Sequence, residues 1–362
     1  MSRFAGLVNF TLILTLVVIA LGAYTRLTDA GLGCPDWPGC YGKLTAPLHD
    51  AHIAEAQARF PGAQIEPHKA HNEMLHRYIA GLLGLCVLMI ALGSLWLKQF
   101  RCLSGIILLL VVFQAALGMW TVTLNLLPLI VLAHLLGGFA LFTLVALLRV
   151  EIAWKAKKIN PHPHNSNDKN SLEPGLSLLL PLGYLAAVVL VLQIALGGWT
   201  SSNYAAAVCY QLPFCETGWE ERFSVQAAFS LPLGHDTYEY GVLPYEARMS
   251  IHVLHRIGAI ITLLLLGSFI LLCWRRAVTK TMRMLAAGLG ALLLLQLALG
   301  LINIVAQLPL LNAVGHNLVA ANLLMLTIIF VRQIHLRKAS AEYLSAAHPT
   351  TSLTTVSSNG RQ

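Results

Sequence analysis

Charge is what this chain has least of: 11% of its 362 residues are Asp, Glu, Lys or Arg, against 57% hydrophobic, and the mean hydropathy is +0.68. Soluble domains carry about 25% charged residues, so a water-covered globular surface is excluded and the chain belongs in a bilayer. Also missing is an Ala-x-Ala cleavage site after the first apolar stretch, about Gly6 to Tyr24, so that stretch is expected to remain as a membrane span. No Arg-rich, Ser-rich presequence precedes it, and the expected location is a bacterial plasma (inner) membrane. The formal net charge of +8 is scattered over short loops and forms no single patch, so nucleic acid is not expected as a partner.

What is present is a series of long apolar runs. Taking about 20 apolar residues per crossing, eight transmembrane helices are expected near 6–25, 74–97, 103–124, 127–148, 176–199, 251–273, 282–305 and 310–332. Lys98 and Arg101 fill one connection; Arg149, Lys155, Lys157, Lys158 and Lys169 another; Arg275, Arg276, Lys280 and Arg283 a third; Arg332, Arg337 and Lys338 the C-terminal tail. The positive-inside rule places all of these, and both termini, in the cytoplasm. Two long loops, near 26–73 and 200–250, then face outward. They hold Cys34 with Cys40 and Cys209 with Cys215, each pair separated by five residues. An oxidising compartment lets each pair close a small disulfide. Zinc is the competing reading, weakened by spacers longer than the usual two to four residues. Cys86, Cys102 and Cys273 read as ordinary apolar residues.

The chain repeats itself. Leu21-Gly22-Ala23-Tyr24-Thr25 before the first cysteine pair matches Leu196-Gly197-Gly198-Trp199-Thr200 before the second, and both cysteines shift by the same 175 positions. Leu75-His76-Arg77 matches Leu254-His255-Arg256. Gln114-Ala115-Ala116-Leu117-Gly118 matches Gln296-Leu297-Ala298-Leu299-Gly300, and Ala133-His134 aligns with Gly315-His316. The expected architecture is an all-α membrane protein of two pseudo-symmetric four-helix bundles, a parallel repeat. The expected units are 1–150, a cytoplasmic linker 151–174, a second bundle 175–335 and a flexible cytoplasmic tail 336–362.

Ionisable residues inside spans are costly, hence functional candidates. His76, His134, His255 and His316 each fall within about two turns of the outer end of an outside-to-inside helix. In each half the pair comes from the second and fourth spans, which packed across a bundle would face two imidazoles, as a bis-His haem requires. The residue four positions after each histidine is small (Ala80, Gly138, Ala259, Ala320), leaving that turn clear for a flat macrocycle. Small residues also serve plain helix packing. Zinc would lack third and fourth ligands. The remaining histidines, His49, His52, His68, His71, His162, His164, His235 and His335, read as solvent-exposed loop and tail residues. The segment from His49 to Phe60 has helical character.

The halves differ at one position. Glu73 stands three residues before His76, where the second half has His252 before His255. A carboxylate beside one site only can accept a proton or position a substrate carbon; it can also simply cap the helix dipole or pair with Arg77. Arg77 and Arg256 are candidates for bidentate contacts to haem propionates, with snorkelling as the plainer alternative.

With Gly31-Leu32-Gly33-Cys34-Pro35-Asp36-Trp37-Pro38-Gly39-Cys40-Tyr41-Gly42, Glu73-Met74-Leu75-His76-Arg77 and the later histidines in view, the chain resembles the haem A synthase family. The resemblance covers nearly the whole membrane region. It implies an eight-helix pseudo-symmetric bundle that oxidises the C8 methyl of haem O to a formyl group through successive hydroxylations. It implies that His76 and His134 hold the substrate haem, that Glu73 is essential, that His255 and His316 ligate a haem b cofactor, and that Cys34, Cys40, Cys209 and Cys215 form the family's disulfides. Implied partners are the farnesyltransferase that makes haem O and the terminal oxidase that receives haem A. The expected mechanism moves electrons between the two haems, with water supplying the formyl oxygen. With no Rossmann fingerprint or nucleotide loop, an external electron carrier or quinone is also expected. The chief departure from the family is the long outer loop 216–249.

Two rivals remain at this level. A bis-His cytochrome b electron carrier predicts equivalent halves and gives Glu73 no role. A transporter of parallel repeats would place its polar site near the bilayer midplane, deeper than these histidines.

Overall fold

Within hydrocarbon every backbone N–H and C=O must be satisfied inside the segment, so apolar runs of this length fold as helices. The computed structural model describes residues 2–159, 174–231 and 233–347, and no strand occurs among them. In chain order the helices are α1 Ser2–Leu27, α2 Asp50–Arg59, α3 Pro67–Trp96, α4 Arg101–Thr123, α5 Pro128–Ile159, α6 Pro174–Ser177, α7 Leu180–Ser202, α8 Trp219–Arg222, α9 Val225–Ala228, α10 Tyr245–Arg276, α11 Lys280–Val305 and α12 Leu310–Ala347. Eight of them, α1, α3, α4, α5, α7, α10, α11 and α12, are long and apolar enough to cross a membrane. The chain is a multi-pass membrane protein.

Several helices outrun the expected spans. Apolar length marks only the lipid-embedded stretch, whereas the helix continues wherever polar ends find partners. Thus α3 begins at Pro67, a residue suited to a first helical turn, and α10 begins at Tyr245, which brings Glu73 and His252 inside helices. At the opposite ends, Arg332 pairs with Glu151 at 2.7 Å and Arg149 Nε donates to Asn9 Oδ1 at 2.8 Å. There α5 runs to Ile159, into the expected linker, and α12 runs to Ala347, so the first part of the expected tail is helical. Residues 160–173, including His162, His164 and Lys169, and residues 348–362 lie outside the described residues.

Neighbouring helices close two rings. In the first, α1 touches α3, α3 touches α4, α4 touches α5 and α5 touches α1; in the second, α7, α10, α11 and α12 do the same in that order. The rings meet where α5 packs on α7 and α12, and α1 on α12. In each ring the histidine helices, α3 with α5 and α10 with α12, are therefore diagonal partners. Both rings are solid at the end away from the disulfide loops. Phe4, Val8, Leu83, Val87, Ile90, Ile107, Val145 and Leu148 fill the first; Leu266, Phe269, Met282, Leu289, Leu323 and Phe330 fill the second. The turns after α4 and α11 are built alike. Asn125 and Leu126, then Gln307 and Leu308, take positive φ, and the Leu126 and Leu308 N–H groups each reach back to a helix carbonyl at 2.8 Å.

Candidate functional site

All four histidines stand between these solid cores and the disulfide loops, and each is packed against a glycine of an adjacent helix. A Cβ on Gly22 of α1 would lie 3.0 Å from Cε1 of His76, and one on Gly118 of α4 would lie 3.4 Å from Cε1 of His134. In the second ring the equivalent distances are 3.0 Å from Gly197 of α7 to His255 and 3.2 Å from Gly300 of α11 to His316. The glycines let the imidazoles sit close against the neighbouring helices; a Cβ at Gly22, Gly197 or Gly300 would push the ring away, whereas one at Gly118 would just reach contact. His76 and His134 lie within electrostatic range of each other, as do His255 and His316.

The interior at this depth is open. Residues 131–138 of α5 and 314–320 of α12 are all partly exposed whichever way they face, although both helices pack on several others. A Cβ on Gly138, one turn beyond His134, would meet nothing within 4 Å. Nδ1 of His76, of His134 and of His316 is buried without a hydrogen-bond partner, an expensive condition for a polar atom. Paired imidazoles with unspent nitrogens, opposed across an open apolar bundle, fit an iron porphyrin.

The outer loops are clamped to the histidine helices by the two arginines. Arg77 Nη1 donates to the carbonyls of Asp36 at 2.9 Å and Pro38 at 3.4 Å and also reaches Gly39; Arg256 donates to Cys209 and Gln211 at 2.7 Å and Pro213 at 3.3 Å. Asp36 and Pro38 correspond to Gln211 and Pro213 under the 175-residue shift. Nη1 of Arg77 and both terminal nitrogens of Arg256 are thus committed to loop carbonyls, a role outside both the propionate and the snorkelling readings. Each clamped loop is a disulfide loop: Cys34 bonds Cys40 and Cys209 bonds Cys215. Bonded sulfurs leave no thiolate for zinc. Gly33 presses directly on α3, where a Cβ would lie 2.6 Å from the Lys69 carbonyl carbon. In the second loop, burial raises the Glu216 carboxyl. Hydrogen bonds, including those from Tyr210 N–H and the Tyr245 hydroxyl, and the charge of Arg256 outweigh it and hold Glu216 below the usual carboxylate range.

Glu73 is buried at 4% exposure. Its carboxylate accepts the Cys34 N–H at 2.8 Å and pairs with Arg77. The structural alternative for this residue is therefore realised: Glu73 ties the disulfide loop to the helix that carries His76. His252, at the matching place in α10, is also buried, with Nδ1 unpartnered. The difference between halves thus survives as a difference between a carboxyl tied to its disulfide loop and an imidazole whose Nδ1 has no partner.

A family model described as cytochrome oxidase assembly protein, COX15-CtaA, matches residues 5–328. The chain belongs to the COX15-CtaA family. It is 47% identical over 345 residues to the heme A synthase of Shewanella oneidensis, covering 92% of this chain and 97% of that one. It is 26% identical to the heme A synthase of Shouchella clausii, covering 77% and 79%, and 24% identical to that of Sphingopyxis alaskensis, covering 91% of each.

In this family member three features escaped sequence reasoning. The four glycines lay inside the repeated motifs, but only their contacts reveal why both copies keep them. Gln193 and Gln296 touch the rings of His255 and His316, and Gln296 had been noted only as part of a repeat. The long second outer loop crosses to the other ring, where Tyr238 N–H donates to Asn125 O at 3.0 Å and Asn125 Nδ2 donates to Asp236 O at 2.8 Å; no local pattern signals such a contact. Of the remaining histidines, His49, His68, His71, His235 and His335 are exposed and His52 partly so. His68 and His71 stand on the first turns of α3, not in a loop.

Proposed function

We propose that this chain is a haem A synthase, oxidising the C8 methyl of haem O to a formyl group. The observation that carries the reading is a pair of diagonal imidazole couples, one per ring, with a buried carboxylate beside only one of them. Close similarity to a relative named heme A synthase over nearly its full length supports it. In this reading His76 and His134 hold haem O as substrate in the first ring, and His255 and His316 hold haem b in the second. Haem b bound there would supply one-electron redox chemistry. The methyl-to-formyl conversion consumes one water and releases four electrons and four protons, which needs an acceptor such as a quinone or another external carrier.

Glu73 accepts a proton at the reacting methyl, and the Arg77 guanidinium and Cys34 N–H hold its carboxylate in place for that task. Gly22 and Gly118 let the substrate's two imidazoles sit close against the neighbouring helices. The solid inner core excludes water from the cytoplasmic side. Positive residues at one end of the spans support a cytoplasmic location of both termini, which puts the reacting ring near the outer surface in this reading. Haem O arrives from its farnesyltransferase, and haem A leaves for the terminal oxidase.

The test is expression with a haem O source, followed by chromatography of the extracted haems. Glu73→Ala is expected to abolish haem A while bound haem b persists. Normal haem A in that variant overturns the role of Glu73. A protein that binds haem b but never forms haem A favours the electron-carrier reading.

A further inference from the structure

His255 in the second ring and His76 in the first are not held alike. Gln193 of α7 places its amide nitrogen 3.1 Å from His255 Nδ1 and 3.0 Å from the carbonyl oxygen of the same residue. Gln296 of α11 meets a different atom, placing its amide 3.2 Å from His316 Nε2, and His316 Nδ1 has no partner. The Gln193 amide nitrogen donates to the His255 carbonyl and rests against Nδ1 of the same residue, and such a contact fixes the turn of that imidazole about its Cβ–Cγ bond. Gly258, three residues after His255, makes room for the Gln193 amide, which a Cβ there would strike.

The first ring departs from this pattern. The 175-residue shift that maps Gly197 onto Gly22 maps Gln193 onto Val18, so the position that reaches His255 in one ring is apolar beside His76 in the other. His76 Nδ1 is buried and unpartnered. Gln114, the counterpart of Gln296, turns its amide onto Gly137, and its nitrogen has no partner.

We propose that Gln193 is a positioning residue that locks His255 for a haem that stays, and that Val18 leaves His76 unanchored so that the first ring's haem can exchange. The proposal rests on the assignment of substrate to the first ring and cofactor to the second. Its physical basis is the hydrogen-bonded partner of a metal-bound imidazole, which sets ring orientation and whose loss weakens metal binding by about 10- to 100-fold. A substrate must enter and its product must leave, so the same anchor beside His76 would oppose turnover.

The experiment uses the full chain purified from cells that make haem O. Three quantities are read: haem b per polypeptide, the rate at which an excess of an apo-globin strips haem b, and the low-spin electron paramagnetic resonance signal. Gln193→Met, close in volume and without the amide, is expected to lose haem b about 10- to 100-fold faster and to shift the low-spin signal. Val18→Gln is expected to slow the stripping of haem A from the first ring while leaving haem b loss unchanged. Wild-type stripping rates and spectra in both variants overturn the inference. His255→Ala separates the two levels of the argument. If it loses haem b while Gln193→Met behaves as wild type, the anchoring idea fails alone; if it retains haem b, the site assignment fails and takes the inference with it.

Discussion

Replacing Gly22 with alanine puts a methyl carbon 3.0 Å from Cε1 of His76, and Gly197→Ala does the same to His255. Carbon atoms in contact settle near about 3.5 to 4.0 Å, so each ring must retreat by about half an ångström at the least. The imidazole is fixed to its helix, so it can retreat only by turning about its own side-chain bonds, and any such turn carries its nitrogens away from the partner imidazole across the bundle. Binding geometry tolerates about 0.5 Å of error, and a displacement near 1 Å costs about 100-fold in rate. Gly22→Ala is therefore expected to lower haem A formation about tenfold with haem b content intact. Gly197→Ala is expected to lower haem b content first. Alanine inside a helix is favoured over glycine by about 0.5 to 1 kcal/mol, so neither loss can be assigned to helix weakening. Gly84→Ala on α3 is the control, since its Cβ meets nothing within 4 Å. Extracted haems are separated by chromatography and normalised to protein. Gly22→Ala making haem A at the level of Gly84→Ala would refute the argument that glycine sets the ring position.

Arg256→Met removes three loop carbonyl bonds from a residue only 8% exposed. The expected cost is about 3 kcal/mol, read as a lowered melting midpoint in detergent, whereas an unchanged midpoint contradicts the clamp. Thiol labelling without denaturant should modify Cys102 alone, since Cys86 and Cys273 are buried; denaturation should expose all three, and only reduction should release Cys34, Cys40, Cys209 and Cys215. Glu216 stabilises the second outer loop fully above its ordinary pKa of about 4.3, and that contribution is lost as pH falls through its depressed folded value. Acid-stable proteolysis of the loop should therefore accelerate in strongly acidic buffer, and Glu216→Gln should remove that pH dependence. Asn125→Ala breaks the 2.8 Å bond to Asp236 and is expected to speed protease cleavage between 231 and 240 at neutral pH; an unchanged rate would show that the crossing contact holds nothing.

Apolar run length alone marked the eight spans, because lipid leaves the backbone no alternative to a helix. The same sequence carried its duplication in the open: matched Leu-Gly, His-Arg and Cys spacings need no structure to be seen. The four histidines followed, since an imidazole in an apolar run is conspicuous wherever it points. Helix ends were less legible. Hydropathy is blind to the polar turns before Glu73 and after Ile152, which helical hydrogen bonds and the Arg332–Glu151 pair carry onward.

Tertiary structure decided most of what these residues touch. The i+4 spacing announces the pairing of Arg77 with Glu73, but the other partners of Arg77 and those of Arg256 are main-chain carbonyls, which every residue possesses and no sequence pattern distinguishes. Gly22 and Gly197 matter through the absence of a side chain beside a ring on another helix, and Gln193 through an amide aimed at a residue 62 positions away. Sequence determined what is costly to bury and where the chain repeats, because both are properties of residues along one helix. Which buried groups meet is fixed only when helices distant in the chain close into rings.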